Sequence, residues 1–410
     1  MSTTYRPAGL VLTEHEFTVP LDHSAPDGEK IVVFAREVAD PDGTDKPFLV
    51  FFQGGPGHES PRPTRVPTDP GWLDRALEDY RVLMLDQRGT GRSTPFVGNE
   101  RASGREMADY LIHFRADSIV RDAELIRRDM GVDRWSVLGQ SFGGFCVTTY
   151  LSFAPEGLRE AFITGGLPPV GRHTDDVYKA TFERTLVRNR RFYDRYPEDL
   201  DRVRRIHERL EAHDVRLPSG DRLTPRRFQQ VGNMLGMSNG AERLHYLLEL
   251  PYDSRAFLYD VDNWMFFNRN PIYAILHEAC YADGGATRWS ADRVLPSDYG
   301  SGHFFTGEHV FSWMFDEFSS LASLKEAAEI LAQHEWPRLY DESRLAANEV
   351  PAAAAVYVED MYVESRFSEE TAEVTPSLRP WITNEYHHDA LRVDGAKVLD
   401  RLFGLARGRL

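Results

Sequence analysis

The sequence predicts an α/β architecture: a mostly parallel sheet flanked by helices, with a helical cap domain inserted into it. Three observations carry this. Short apolar runs alternate with helical patterns over the first 170 residues. The alternation stops after Pro168 and Pro169, and helix-like sequence rich in Arg, Glu, Tyr, Phe and Trp runs on to about residue 346. Strand patterns then return at 351–358 and 379–383.

In chain order, residues 31–38, 48–53, 81–86 and 134–139 are short apolar runs bounded by Gly or Asp, as buried strands are. A helix is expected around 117–131, with Ile119, Ala123, Ile126 and Met130 on one face and Gly131 as its C-terminal stop. Residues 161–165 give another strand, and a helix over 394–407 closes the chain. This pattern divides the 410 residues into 1–171, the first part of the α/β core; 172–346, the helical cap; and 347–410, the second part of the core. The charged stretch 184–211 reads as a solvated helical face.

A net charge of -16, from 64 acidic against 48 basic side chains, disfavours nucleic acid and anionic membranes as partners. Two cysteines, Cys146 and Cys280, are too few for a disulfide scaffold. No apolar run approaches the ~20 residues that span a bilayer. Residues 1–10 lack the apolar core of a signal peptide, so a cytoplasmic protein is expected.

The chemistry centres on residues 139–143, a G-x-S-x-G between a predicted strand and a predicted helix. A serine there sits in a sharp turn whose flanking glycines remove clashing Cβ atoms. That turn lifts the Ser141 hydroxyl above the sheet edge and aims the Phe142 N–H at any oxyanion beside it. This is the nucleophile turn of the α/β-hydrolase fold. A hydroxyl needs a base, and the base an orienting acid, here in the chain order Ser, Asp or Glu, His. Asp360 after the strand at 351–358 is the expected acid, with Glu359 as local competitor. His387 and His388, after the last strand, compete for the base. The loop Gln53, Gly54, Gly55, Pro56 and Gly57 fits the second oxyanion donor, through Gly54 and Gly55. No metal-ligand spacing such as H-E-x-x-H occurs, and no metal or cofactor is expected.

These residues resemble the proline iminopeptidases (prolyl aminopeptidases) of the α/β-hydrolase superfamily. The resemblance covers nearly the whole chain. It rests on QGGPG at 53–57 with PRP at 61–63, DQRGTGRS at 86–93, GQSFGG at 139–144, His277-Glu278 with Tyr281, TGE at 306–308 running to Trp313, and NEYHHD at 384–389. Many members carry His at the position of Gln53; the loop backbone does the binding there, so the change is tolerable. The resemblance places the base at His388 and gives the 86–93 segment a shaping role beneath the site. It implies a serine exopeptidase that releases N-terminal proline from small peptides. Such an enzyme must pair the substrate's free ammonium with a carboxylate, and Glu278 and Glu308 are the implied candidates. The prolyl ring needs a small apolar pocket. Phe304, Phe305, Phe311, Trp313 and Phe315 are expected mostly in the cap core, with one or two lining that pocket. The alternatives are a broad aminopeptidase, amidase or esterase of the same fold, and a non-catalytic hydrolase-like binding protein.

Overall fold

The computed structural model describes residues 3–7 and 9–410. Its main sheet contains β1 (Thr3–Tyr5), β2 (Val11–Pro20), β3 (Lys30–Ala39), β4 (Phe48–Phe52), β5 (Arg81–Leu85), β6 (Trp135–Gln140), β7 (Leu158–Thr164), β8 (Ala352–Tyr357) and β9 (Leu378–Thr383). The spatial order is β1-β2-β3-β5-β4-β6-β7-β8-β9. The strands from β5 to β9 run parallel, whereas β1, β2 and β3 join antiparallel. The register pairs Phe52 of β4 with Gly139 of β6, so the loop after β4 and the turn after β6 leave the sheet side by side.

Every residue of β4 and of β8 is buried, as strands covered on both faces require. Alternate side chains serve opposite faces. Val50, Phe52, Leu83 and Val137 join one apolar cluster; Leu49, Phe51, Val82 and Leu138 join the other. Helices Leu73–Asp79 and Gly395–Ala406 contribute buried side chains to the second cluster, and helices Ala116–Asp129 and Phe142–Phe153 to the first. Gly131 takes φ +67° just past Ala116–Asp129, the left-handed stop that its position suggested.

The described residues of 172–346 carry helices and no strand of the main sheet, beginning with Thr174–Arg195. Their apolar side chains are not a separate core. Tyr178, Phe182, Phe305 and Phe311 belong to the same cluster as Phe142 and Phe145. Arg115, fully buried, donates to the carbonyls of Ala279, Ala282 and Pro337 and ties the two parts together. No helix among the described residues is long and apolar enough to cross a membrane.

The sequence reading missed β1, β2 and the hairpin of Thr64–Arg65 with Thr68–Asp69. In β2 the run Glu14-His15-Glu16 breaks the apolar alternation. Those side chains are satisfied across the strands instead, Glu14 by Arg36 at 2.7 Å and His15 by Glu37 at 3.2 Å.

Candidate active site

Ser141 stands between β6 and helix Phe142–Phe153 with φ +55° and ψ −126°, a conformation that costs a non-glycine residue energy. The surroundings enforce it. The Ser141 N–H donates to the Thr164 carbonyl at 3.0 Å, and its carbonyl accepts from Gly144 at 2.7 Å. A Cβ on Gly139 would come within 2.2 Å of the Gly143 carbonyl, and one on Gly143 within 1.9 Å of the Phe52 carbonyl. Only glycine fits at those two positions. The Phe142 N–H opens the helix, where N–H groups have no partner inside it.

The loop after β4 presses against this turn. A Cβ on Gly54 would lie 3.0 Å from the Ser141 Cβ. From beneath, the Gln87 side-chain amide donates to the Gln53 carbonyl at 2.9 Å. Asp86 is buried and accepts from Arg62 at 2.9 and 2.7 Å and from the Ser60 and Arg92 N–H groups. The 86–93 segment thereby holds the loop from below.

Asp360 follows β8. One oxygen accepts the N–H groups of Tyr362 and Val363 at 2.9 and 3.2 Å, and the other faces His388 Nδ1 at 2.7 Å. A carboxylate can only accept, so Nδ1 carries the hydrogen and Nε2 is left unprotonated. Burial disfavours the His388 imidazolium. The Asp360 charge and hydrogen bond outweigh that, with Glu308 adding, and hold His388 above its ordinary value. The two local competitors lie elsewhere. Glu359 is paired with Arg191, and with Arg188 at 3.7 Å. His387 is half-buried with no hydrogen-bond partner at Nδ1.

Ser141 and His388 line one cleft of about 160 Å³ together with Gly54, Gly55, Gln53, His58, Gln140, Asn233, Met237, Tyr273, Glu308, Tyr362 and Arg392. The insertion closes one side of it. Glu308 is held by Tyr281 Oη at 2.9 Å and Tyr273 Oη at 3.2 Å, with His277 Nε2 at 3.5 Å. Burial alone would raise this carboxyl. His277 foremost, with His388 and Tyr281, overcomes burial and keeps it below the usual glutamate range. The His277 ring is fixed in turn by Tyr178 Oη, 2.8 Å from Nδ1. Burial also pushes His58 down to about 4, so a neutral imidazole stands in the cleft wall.

The structure does not bring Glu278 to this cleft. It sits one residue past His277 on helix Pro271–Cys280, about 100° round the axis. Its Oε1 accepts the Ala291 N–H at 2.9 Å, and its Oε2 is buried without a partner, beside apolar Ala274, Ala328 and Leu331. Burial raises its pKa. The aromatic expectation is also corrected: none of Phe304, Phe305, Phe311, Trp313 and Phe315 lines the cleft. Phe305, Phe311 and Phe315 are buried in the shared apolar core, and the cleft takes Tyr273 and Tyr362 instead. Tyr273, His277 and Tyr281 are spaced four apart, a one-face stripe that was readable in advance. Tyr362, Met237 and Arg392 carried no such signal. Among the described residues no group of three or more His, Cys, Asp or Glu could hold a metal ion.

A strained serine at a strand–helix turn, an Asp-paired histidine and a glycine loop at the same strand ends are the parts of an acyl-transfer site. The family model for the alpha/beta hydrolase fold matches residues 47–296, and the chain belongs to that family. Two relatives narrow the assignment. A proline iminopeptidase of Aeromonas sobria is 50% identical over 416 residues, spanning 97% of this chain and 97% of that relative. A proline iminopeptidase of Aspergillus aculeatus is 37% identical over 432 residues, spanning 97% of this chain and 94% of its own length. This chain is a member of the proline iminopeptidase family.

Proposed function

We propose that this enzyme is a serine exopeptidase that releases N-terminal proline from peptides through an acyl-enzyme. One observation carries the reading: Ser141, the Asp360-paired His388 and the ionised Glu308 share one small cleft. Glu308 pairs with the substrate's ammonium and sets its distance from Ser141. His388 Nε2 takes the Ser141 proton as Oγ attacks the prolyl carbonyl carbon. The N–H groups of Phe142 and the Gly54–Gly55 loop receive the oxyanion. The C–N bond then breaks, His388 protonates the leaving amine, and water hydrolyses the prolyl ester by the same route in reverse.

About 160 Å³ is less than most drug-sized sites hold, and suits one small residue better than a long acyl chain. Met237, Tyr273 and Tyr362 supply the apolar wall for the prolyl ring. In this reading residues 172–346 act as a cap that sets specificity over a core made of 1–171 and 347–410. Two buried free cysteines, Cys146 and Cys280, suit a reducing compartment, and the cytoplasm is the proposed location.

Rates on prolyl-arylamide, alanyl-arylamide and N-blocked prolyl-arylamide test the reading. Prolyl-arylamide is expected to be the best substrate, and blocking the amine to remove most of the rate. An unchanged rate on the blocked substrate overturns the exopeptidase assignment in favour of an esterase or amidase.

A further inference from the structure

A second hollow, of about 330 Å³, adjoins the Ser141 cleft and shares Gln53, Gln140 and Arg392 with it. It belongs to the core and not to the cap. Buried Trp72 and Leu391 line it, and Thr68 and Asp69 of the small hairpin stand at its edge.

Arg392 marks the junction. It is exposed, and among the described residues no carboxylate pairs with it. Asp389 and Asp69 also line the hollow, but neither forms an ion pair with Arg392 among the described residues, and Asp389 and Asp394 each have an oxygen engaged elsewhere. Asp389 Oδ1 accepts the Ser238 N–H at 3.0 Å and hydroxyl at 2.6 Å, and Asp394 Oδ2 accepts Tyr386 Oη at 2.7 Å. Other arginines near the site are spoken for: Arg62 by Asp86 and Arg269 by Glu59. A guanidinium is always charged and matches a carboxylate with two parallel hydrogen bonds. The two adjoining spaces therefore have an anion, Glu308, on the cap side and an unpaired cation, Arg392, where they meet, with Ser141 lining the first. A substrate with an ammonium at one end and a carboxylate close behind matches both charges.

We propose that the hollow is the leaving-group subsite, in which Arg392 binds the free α-carboxylate of di- and tripeptides. The proposal rests on the prolyl-exopeptidase reading above. It makes the enzyme selective for short free-acid peptides and against the same peptides with amidated C-termini. A two-point charged hydrogen bond from an exposed guanidinium is worth up to roughly a tenfold preference.

The test compares wild type with Arg392→Gln on Pro-Gly, Pro-Gly-Gly and their C-terminal amides, with prolyl-arylamide turnover reporting a competent site. In wild type, kcat/KM for the acids is expected to exceed that for the amides by about tenfold, chiefly through KM. In Arg392→Gln the ratio is expected to fall close to one. A wild-type ratio near one overturns the subsite, as does a wild-type preference that survives the substitution. Absence of turnover on every prolyl substrate overturns the prolyl reading itself. Turnover with no discrimination between acid and amide overturns only the role of Arg392.

Discussion

The core and the insertion each bring functional groups to one cleft, but hold them by different means. On the core side, Ser141, Asp360 and His388 follow β6, β8 and β9; main-chain groups hold the first two, the Thr164 carbonyl on Ser141 and the Tyr362 and Val363 N–H groups on Asp360, and Asp360 in turn holds His388. On the cap side, Glu308 depends on other side chains, Tyr273, Tyr281 and His277, reaching from one helix face. The serine and the acid are thus positioned mainly by backbone groups next to the strand ends. The cap geometry is set by a layer of hydroxyls and an imidazole. Substitutions on the two sides test whether the proposed reaction and the proposed specificity separate in the same way.

The largest effect belongs to the core. Ser141→Ala is expected to lower kcat about 10⁵- to 10⁶-fold with little change in KM, checked by burst-free steady-state rates on prolyl-arylamide. Asp360→Asn keeps the side-chain shape but forfeits the acceptor that orients Nδ1–H, and is expected to cost about 10⁴-fold. Glu359→Gln, which only loosens a partly exposed pair with Arg191, is expected to stay within about twofold. Similar losses in the two variants would show that Asp360 is not the orienting acid.

Protonation sharpens the same contrast. In the proposed mechanism His388 must be neutral to accept the Ser141 proton, and its pKa is held above the ordinary histidine value. The acid limb of kcat/KM is therefore expected above pH 6.5, with activity rising as pH rises through it. Asp360→Asn should move that limb to lower pH, because the raising charge is gone while burial remains. Glu308 stays ionised across this range, since its pKa is depressed, and does not contribute the limb.

On the cap side, Glu308→Gln is expected to lower kcat/KM for free-amine prolyl substrates about 10²- to 10³-fold, leaving the ammonium without its counter-charge. N-blocked substrates, which never used that charge, should change little. An equal loss on both would make Glu308 a structural carboxylate and not the amine anchor.

The two sides also differed in how far the sequence alone revealed them. Ser141 lies in a contiguous motif whose geometry follows from strand, turn and helix, and chain order narrowed the acid to 359–360 and the base to 387–388. Those determinants are local. Which face of a cap helix meets the cleft depends on how the insertion docks, and no local pattern states that. Glu278 and Glu308 therefore looked equivalent, although the four-residue spacing of Tyr273, His277 and Tyr281 already marked the face that Glu278 does not share. Arg392 looked like any exposed arginine, because an unpaired charge is visible only once its neighbours' partners are known. The polar run in β2 hid a strand for a related reason: its charges are matched across the sheet, not along the chain.

The smallest expected effect makes the sharpest test of that docking. Glu278→Gln is expected to change prolyl turnover by less than about twofold, because its carboxyl faces Ala291 and a small space lined by Thr287, Ala274 and Leu331, not the Ser141 cleft. Stability should move the other way from a lost contact. The folded-state pKa of Glu278 lies above the unfolded one, so ionising it is harder in the fold. Its cost is absent at low pH, where both states are protonated, and grows as pH rises through the raised value. Glutamine keeps an acceptor for the Ala291 N–H and carries no charge to bury. The variant is expected to melt roughly 1–2 °C higher than wild type at pH 7, with the difference vanishing near pH 4. Thermal scans at the two pH values, read beside prolyl turnover, decide it. A loss of turnover approaching that of Glu308→Gln would mean that both carboxylates reach the substrate, and that the insertion closes on the core differently from the arrangement described above.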